Sequence, residues 1–193
     1  MKAYLINLGS LIFGILLVFA LFEPIILAKH NPLDGNINLQ QSQRRLIKNI
    51  QHELLTLSYY GVFDWLEFRL NPEGVVTLSG QVTRPTLKSD AQEAVEDVQG
   101  VSSVRNEIEV LPLSPNDDRL RVALYRNIYS GPLFRYSVGS LNSIHIIVKN
   151  GRVTLKGVVD TEGDRNIANI RANSVSGVFQ VKNELIATNA KRR

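Results

Sequence analysis

Gly74-Val75-Val76-Thr77-Leu78-Ser79-Gly80 opens a stretch, residues 74–110, that the chain uses twice. It returns 77 residues later as Gly151-Arg152-Val153-Thr154-Leu155-Lys156-Gly157. At the same offset Gly100-Val101-Ser102-Ser103-Val104-Arg105-Asn106-Glu107 returns as Gly177-Val178-Phe179-Gln180-Val181-Lys182-Asn183-Glu184. Paired without gaps, 74–110 and 151–187 share 13 identities in 37 positions, most of them residues that set backbone shape or fill a core. A repeat of this length is one folding unit used twice.

Working outward from the repeat gives the unit. Leu46, Ile50, Leu54 and Leu57 make one apolar helical stripe that should end near Gly61. Leu66, Phe68 and Leu70 alternate with Trp65, Glu67 and Arg69 as a half-buried strand. Asn71-Pro72-Glu73-Gly74 is a turn into a second strand with Val76, Leu78 and Val82 facing in. Gly80 lies on that inward parity, where a missing side chain lets a helix approach the sheet. Thr83-Arg84-Pro85 opens a second helix with Ala91, Ala94, Val95 and Val98 inward, and Gly100 ends it as a C-terminal glycine. Val104, Asn106, Ile108 and Val110 form a last strand, so the order is αββαβ.

The second copy reads the same way. Asn116-Asp117 caps a helix with Leu120, Leu124 and Ile128 inward. Strands follow at Ile144–Val148 and Val153–Val159, then a helix with Ile167, Ala168, Ala172 and Val175 that stops at Gly177, then a last strand to Ala187. Gly157 matches Gly80. The copies differ before the first strand: Gly61 to Gly74 spans 13 residues, Gly131 to Gly151 spans 20. The extra length holds Pro132-Leu133-Phe134-Arg135-Tyr136-Ser137-Val138-Gly139, an aromatic and basic insertion.

The repeated unit resembles the BON module, named for bacterial osmotically inducible periplasmic and nodulation proteins. The resemblance rests on G-x-V-T-L-x-G-x-V (Gly74 to Val82, Gly151 to Val159) and G-V-x-x-V-x-N-E (Gly100 to Glu107, Gly177 to Glu184). It implies a small α/β fold ordered αββαβ, a bacterial envelope location, phospholipid binding, and support of envelope integrity or osmotic stress tolerance. The fold expected is therefore α+β: two tandem modules, each a three-stranded mixed sheet on two helices, after an N-terminal transmembrane or signal helix. The expected parts are a leader at 1–28, a linker at 29–43, modules at 44–112 and 117–187 joined by 113–116, and a basic tail at 188–193. A module of about 70 residues has a marginal core, so contact between the two is expected.

The leader is read from Ala3 to Phe22, twenty residues without a charge, about 30 Å as a helix and enough to cross a bilayer. Lys2 precedes it, and no small-x-small triplet follows, which favours an uncleaved inner-membrane anchor over a removed signal peptide. Both modules would then face the periplasm. Lys29 to Asn36 reads as a turn-rich linker.

Charge is uneven. Residues 44–112 carry 7 Lys/Arg against 10 Asp/Glu, a net of −3, while 113–187 carry 10 against 6, a net of +4, with Lys191-Arg192-Arg193 beyond. A basic second half calls for an acidic partner. The chain has no Cys, which excludes disulfides, thiol catalysis and Cys-ligated metal.

No His-x-x-x-His pair, Gly-x-Ser-x-Gly elbow or Walker loop is present, and His30, His52 and His145 stand apart from other ligand types. No catalytic residue, cofactor or metal is expected. Asn106 and Asn183 fall on inward parity, with a structural role in satisfying buried backbone. The functional signal is the mixture of basic and aromatic residues in the second module: Arg119, Arg121, Arg126, Tyr129, Phe134, Arg135 and Tyr136. Arg attracts anionic headgroups at about 1 kcal/mol each, and Tyr and Phe settle at headgroup level. Phe134 and Tyr136 fit equally the covering of the module's open core end. Tyr59, Tyr60, Phe63 and Trp65 form a matching cluster in the first module, placed either for the same task or for packing on the second. The expected partner is an anionic phospholipid membrane, with an envelope protein joined through an open sheet edge as the alternative, and no nucleic acid.

Overall fold

The computed structural model describes residues 32–138 and 143–189. The expected membrane-spanning leader, Gly139 of the insertion and the Lys191-Arg192-Arg193 tail lie outside the described residues. Among the described residues no helix is long and apolar enough to cross a membrane.

The architecture is mixed α+β with two small sheets. The first module holds α1 (Pro32–Thr56), β1 (Trp65–Leu70), β2 (Val75–Val82), α2 (Pro85–Glu96), β3 (Ser103–Asn106) and β4 (Glu109–Val110). The second holds α3 (Pro115–Ile128), a 3-10 helix (Gly131–Ser137), β5 (Ile144–Lys149), β6 (Arg152–Val159), α4 (Glu162–Asn173) and β7 (Gln180–Ala187). In each, the hairpin is antiparallel and the central strand pairs in parallel with the last one. The inward residues close two cores, one around Ile50, Val76, Leu78 and Ala91, the other around Leu124, Ile146, Leu155 and Ala168.

Several expectations need correction. Residues 32–43 are no linker: α1 runs unbroken from Pro32 and ends at Thr56, short of Gly61. Proline in a first helical turn gives up an N–H that has no partner there anyway, and Gly35 weakens a helix by only about 1 kcal/mol. The last strand of the first module is split, β3 and β4 being separated at Glu107–Ile108. Ser114 caps α3, its Oγ accepting from Asp117 N at 3.2 Å. Asp117 is buried and does something else. Its carboxylate accepts Asn150 N at 2.8 Å and Gly151 N at 2.9 Å, clamping a two-residue hairpin turn to the helix. Asn150 and Gly151 both have positive φ, 52° and 72°, as a type I′ turn requires.

The paired glycines also act differently from expectation. A Cβ on Gly80 would lie 2.0 Å from the Trp65 carbonyl oxygen, and one on Gly157 2.1 Å from that of Ser143. The space they keep is for the neighbouring strand's backbone and not for a helix. Gly100 and Gly177 lie beyond the C-caps Asp97 and Ser174, in the turns leading to the last strands.

The modules pack on each other through Tyr60 to Trp65. Ile146 N donates to Val62 O at 2.8 Å, so residues 61–64 run along the outer edge of β5. Phe63 packs against the second core and meets Tyr125 edge-on at 6.3 Å. His145 is buried, its Nδ1 2.7 Å from Asp64 O and its ring stacked on Tyr60 at 5.5 Å and edge-on to Trp65 at 5.0 Å. Burial there pushes the Tyr60 hydroxyl up to about 12. Lys156 reaches Glu67 at 2.6 Å, and Lys149 pairs with Glu109. Part of the charge asymmetry read from sequence is thus satisfied inside the molecule, the acidic copy serving the basic one.

Candidate functional site

The second module carries the residues singled out from sequence, and the structure divides them into two groups. Arg121, Tyr129 and Tyr136 are buried. Arg121 lies on the inner side of α3, where its Nη2 donates to Val148 O at 2.8 Å and its Nη1 pairs with Asp118. The Tyr129 hydroxyl donates to Ile144 O, and burial drives its pKa well upward. Their polar ends meet backbone and acid within the fold, so these three side chains offer no open surface.

Tyr136 belongs to a hub that fastens the 3-10 insertion to α4. Its hydroxyl donates to Asp164 Oδ2 at 3.0 Å and accepts Asp160 N at 2.8 Å. Asp164 also accepts Thr161 Oγ1 at 2.6 Å, while Thr161 Oγ1 caps α4 by accepting Asp164 N. Arg135 completes the hub, 2.7 Å from Asp164 and 3.4 Å from Asp160, with its guanidinium 4.7 Å above the Tyr136 ring. Burial alone would raise the Asp164 carboxyl, but the Thr161 and Tyr136 hydrogen bonds and the Arg135 charge hold it below the usual range. Arg135 therefore has its charge matched by two carboxylates.

Arg119, Arg126 and Phe134 remain open to solvent. Arg119 and Arg126 lie on the outward face of α3 and, with Val122 and Ala123 between them, line one shallow surface depression, bordered also by Asp118, whose carboxylate pairs with Arg121. The i, i+3, i+4, i+7 spacing puts all four on one stripe. Val122 and Ala123 were missed in the sequence because the inward stripe of Leu120, Leu124 and Ile128 dominates the periodicity there. Phe134 projects from the insertion, 61% exposed, between the buried anchors Leu133 and Tyr136.

Sheet edges matter to the alternative reading. The β5 edge is occupied by residues 61–64, as above. At the last strands the repeated asparagines intervene: Asn106 Oδ1 accepts Ile108 N at 3.1 Å, and Asn183 Oδ1 accepts Leu185 N at 3.2 Å. Glu107 N and Leu111 N donate inward to β2, so the alternating Ile108 N–H points to the free edge. Each Asn also donates to the preceding helix, at Lys88 O and Arg165 O. Nothing resembling a catalytic constellation accompanies these surfaces, and no cluster among the described residues could hold a metal ion.

The BON domain family matches residues 71–112 and 116–189, more than half of the chain. The chain belongs to the BON family. The match starts later in the first module than in the second, leaving α1 and β1 outside it. Family membership supports an envelope-associated role of a non-catalytic kind. No curated protein matches the chain. Two solved structures of CdsD, a structural protein of the type III secretion system of Chlamydia trachomatis, are similar to it. The C-terminal domain is 14% identical over 74% of this chain and 96% of that one, with a TM-score of 0.30. The other is 15% identical over 75% and 94%, with a TM-score of 0.29. Likeness at that level says nothing of what the BON modules here bind.

Proposed function

We propose that this chain is a non-enzymatic envelope protein whose tandem BON modules bind anionic phospholipid membranes, the second module providing the contact. The observation that carries the reading is the outward stripe of α3. Arg119 and Arg126 flank Val122 and Ala123 there, and neither arginine forms an ion pair among the described residues. Headgroup phosphates would meet the guanidinium groups while the small apolar side chains settle at the interface, with Phe134 as a further apolar contact. The periplasmic side, tethered by residues 1–28, is the location this reading takes, and envelope stress tolerance the service.

An envelope protein joined through an open sheet edge is less well supported, since residues 61–64 cover β5 and the two asparagines engage an edge N–H in each last strand. The test is binding of residues 32–193 to neutral and to anionic vesicles across salt, omitting the leader because it would partition into any bilayer. Binding should be anionic-selective and weakened by salt. Arg119→Gln with Arg126→Gln should lower affinity roughly thirtyfold, at about 1 kcal/mol per arginine. Equal binding by the double variant would sink the α3 assignment.

A further inference from the structure

At one end of the second module three pieces of chain are locked together. Asp117, on the first turn of α3, holds the Asn150-Gly151 turn by both backbone N–H groups. Phe179 N donates to Gly151 O at 2.9 Å, fixing the loop that enters β7 to that turn. A Cβ on Gly177 would lie 3.3 Å from Leu120 Cδ2, so this loop also abuts α3. On this rigid frame Phe179 stands 74% exposed, and Leu113, immediately before the α3 cap, 96% exposed. The Arg152 guanidinium lies 4.8 Å over the Phe179 ring. The acids at this end are already committed, Asp117 to backbone and Asp118 to Arg121.

The first module is an internal control. Its loop into the last strand corresponds, Ser102 N donating to Gly74 O, although its hairpin turn is longer, Asn71 to Gly74; in it the position of Phe179 is Ser102 and that of Arg152 is Val75. Ser102 folds its hydroxyl back onto Glu73 O at 2.7 Å. The fold is therefore built without an aromatic and a cation at this tip, and the second copy exposes them without packing the ring into its core. Two large exposed apolar side chains, with a cation lying on one of them, suit a soft, anionic surface better than a preformed protein groove.

We propose that this tip is a membrane insertion point: Phe179 and Leu113 enter the headgroup region of an anionic bilayer, and Arg152 engages a lipid phosphate. The proposal rests on the lipid-binding reading and adds a second contact to it, apart from the α3 stripe. The absence of Cys allows single labels on the full chain. Gln180→Cys beside the tip, Ser103→Cys at the matching place in the first module, and Val122→Cys on α3 would each carry a polarity-sensitive fluorophore. The chains would be placed in phosphatidylcholine vesicles with and without phosphatidylglycerol.

The label at 180 should shift to the blue in the anionic vesicles alone, the label at 103 should not move, and adding Phe179→Ser and Leu113→Ser should abolish the shift at 180. A shift at 122 with none at 180 would overturn the tip and leave the α3 reading standing. No shift at either would remove both. An equal shift at 180 in neutral vesicles, or one that survives the serine substitutions, would also overturn the proposal.

Discussion

Asp164→Asn tests how the insertion before β5 is held. The substitution keeps the shape and one acceptor oxygen and removes the charge. The Asp164 side chain is 7% exposed and receives Thr161 Oγ1, the Tyr136 hydroxyl and the Arg135 guanidinium at 2.6, 3.0 and 2.7 Å. A hydrogen bond to a charged group contributes about 1.5–3 kcal/mol against about 0.5–1.5 for a neutral one. The two hydroxyl donors together then account for about 2 kcal/mol of difference. Arg135 is half exposed, so solvent screens its pair and it adds little. The variant should be less stable by about 2–3 kcal/mol in urea at pH 7. The carboxyl is held below its usual range when folded. Its stabilisation is therefore present above the unfolded value of about 3.9 and lost as pH falls through the folded value. Glu67 and Glu184 are held low as well, the first by Lys156 and Trp65 against the cost of burial, the second chiefly by Lys182. Only the parent-minus-variant difference isolates Asp164. That difference should shrink toward zero on acidification below pH 4. A gap under about 0.5 kcal/mol at pH 7, or one constant with pH, would refute the account.

Asp117→Ala should cost about 2–4 kcal/mol, because two N–H groups of the Asn150-Gly151 turn, one buried and one part-buried, lose their acceptor; denaturation that matches the parent would show the turn held by other means. Gly157→Ala should cost roughly 3 kcal/mol or more, since its Cβ would meet the Ser143 carbonyl oxygen at 2.1 Å, and a thermal midpoint near the parent's would contradict this. His145→Ala removes the ring between Tyr60 and Trp65. The emission of Trp65, the chain's one tryptophan, should shift to the red as water enters. Unchanged emission would mean the modules hold together without that contact.

Much of the fold was legible because the chain states it twice. Parity placed Val76, Leu78, Val153 and Leu155 in the cores, and the hairpins and second helices followed from the same 77-residue offset. Local caps were harder. Ser114 and Asp117 both suit an N-cap, and only the distant Asn150-Gly151 turn decides that Asp117 faces away from the helix end. The role of Gly80 was hidden for a similar reason, since Trp65 O approaches it from another strand. Among the surface residues, side-chain type alone did not separate Arg126 from Arg121. The two differ by five positions on one helix, about 140° around its axis, which puts one outside and the other against Val148. The partners of Tyr129 and Tyr136, at Ile144 and Asp164, lie across the module and leave no mark in nearby sequence.

The Val62 to Ile146 bond gives the tandem a polarity. Residues 61–64 of the first copy shield the β5 edge of the second, and a lone second module would present Ile144 to Lys149 as an uncovered strand with four apolar residues. Such strands recruit their own kind. Duplication here made a dependent sibling rather than two free units, so the copies cannot be reordered or parted without inviting self-association.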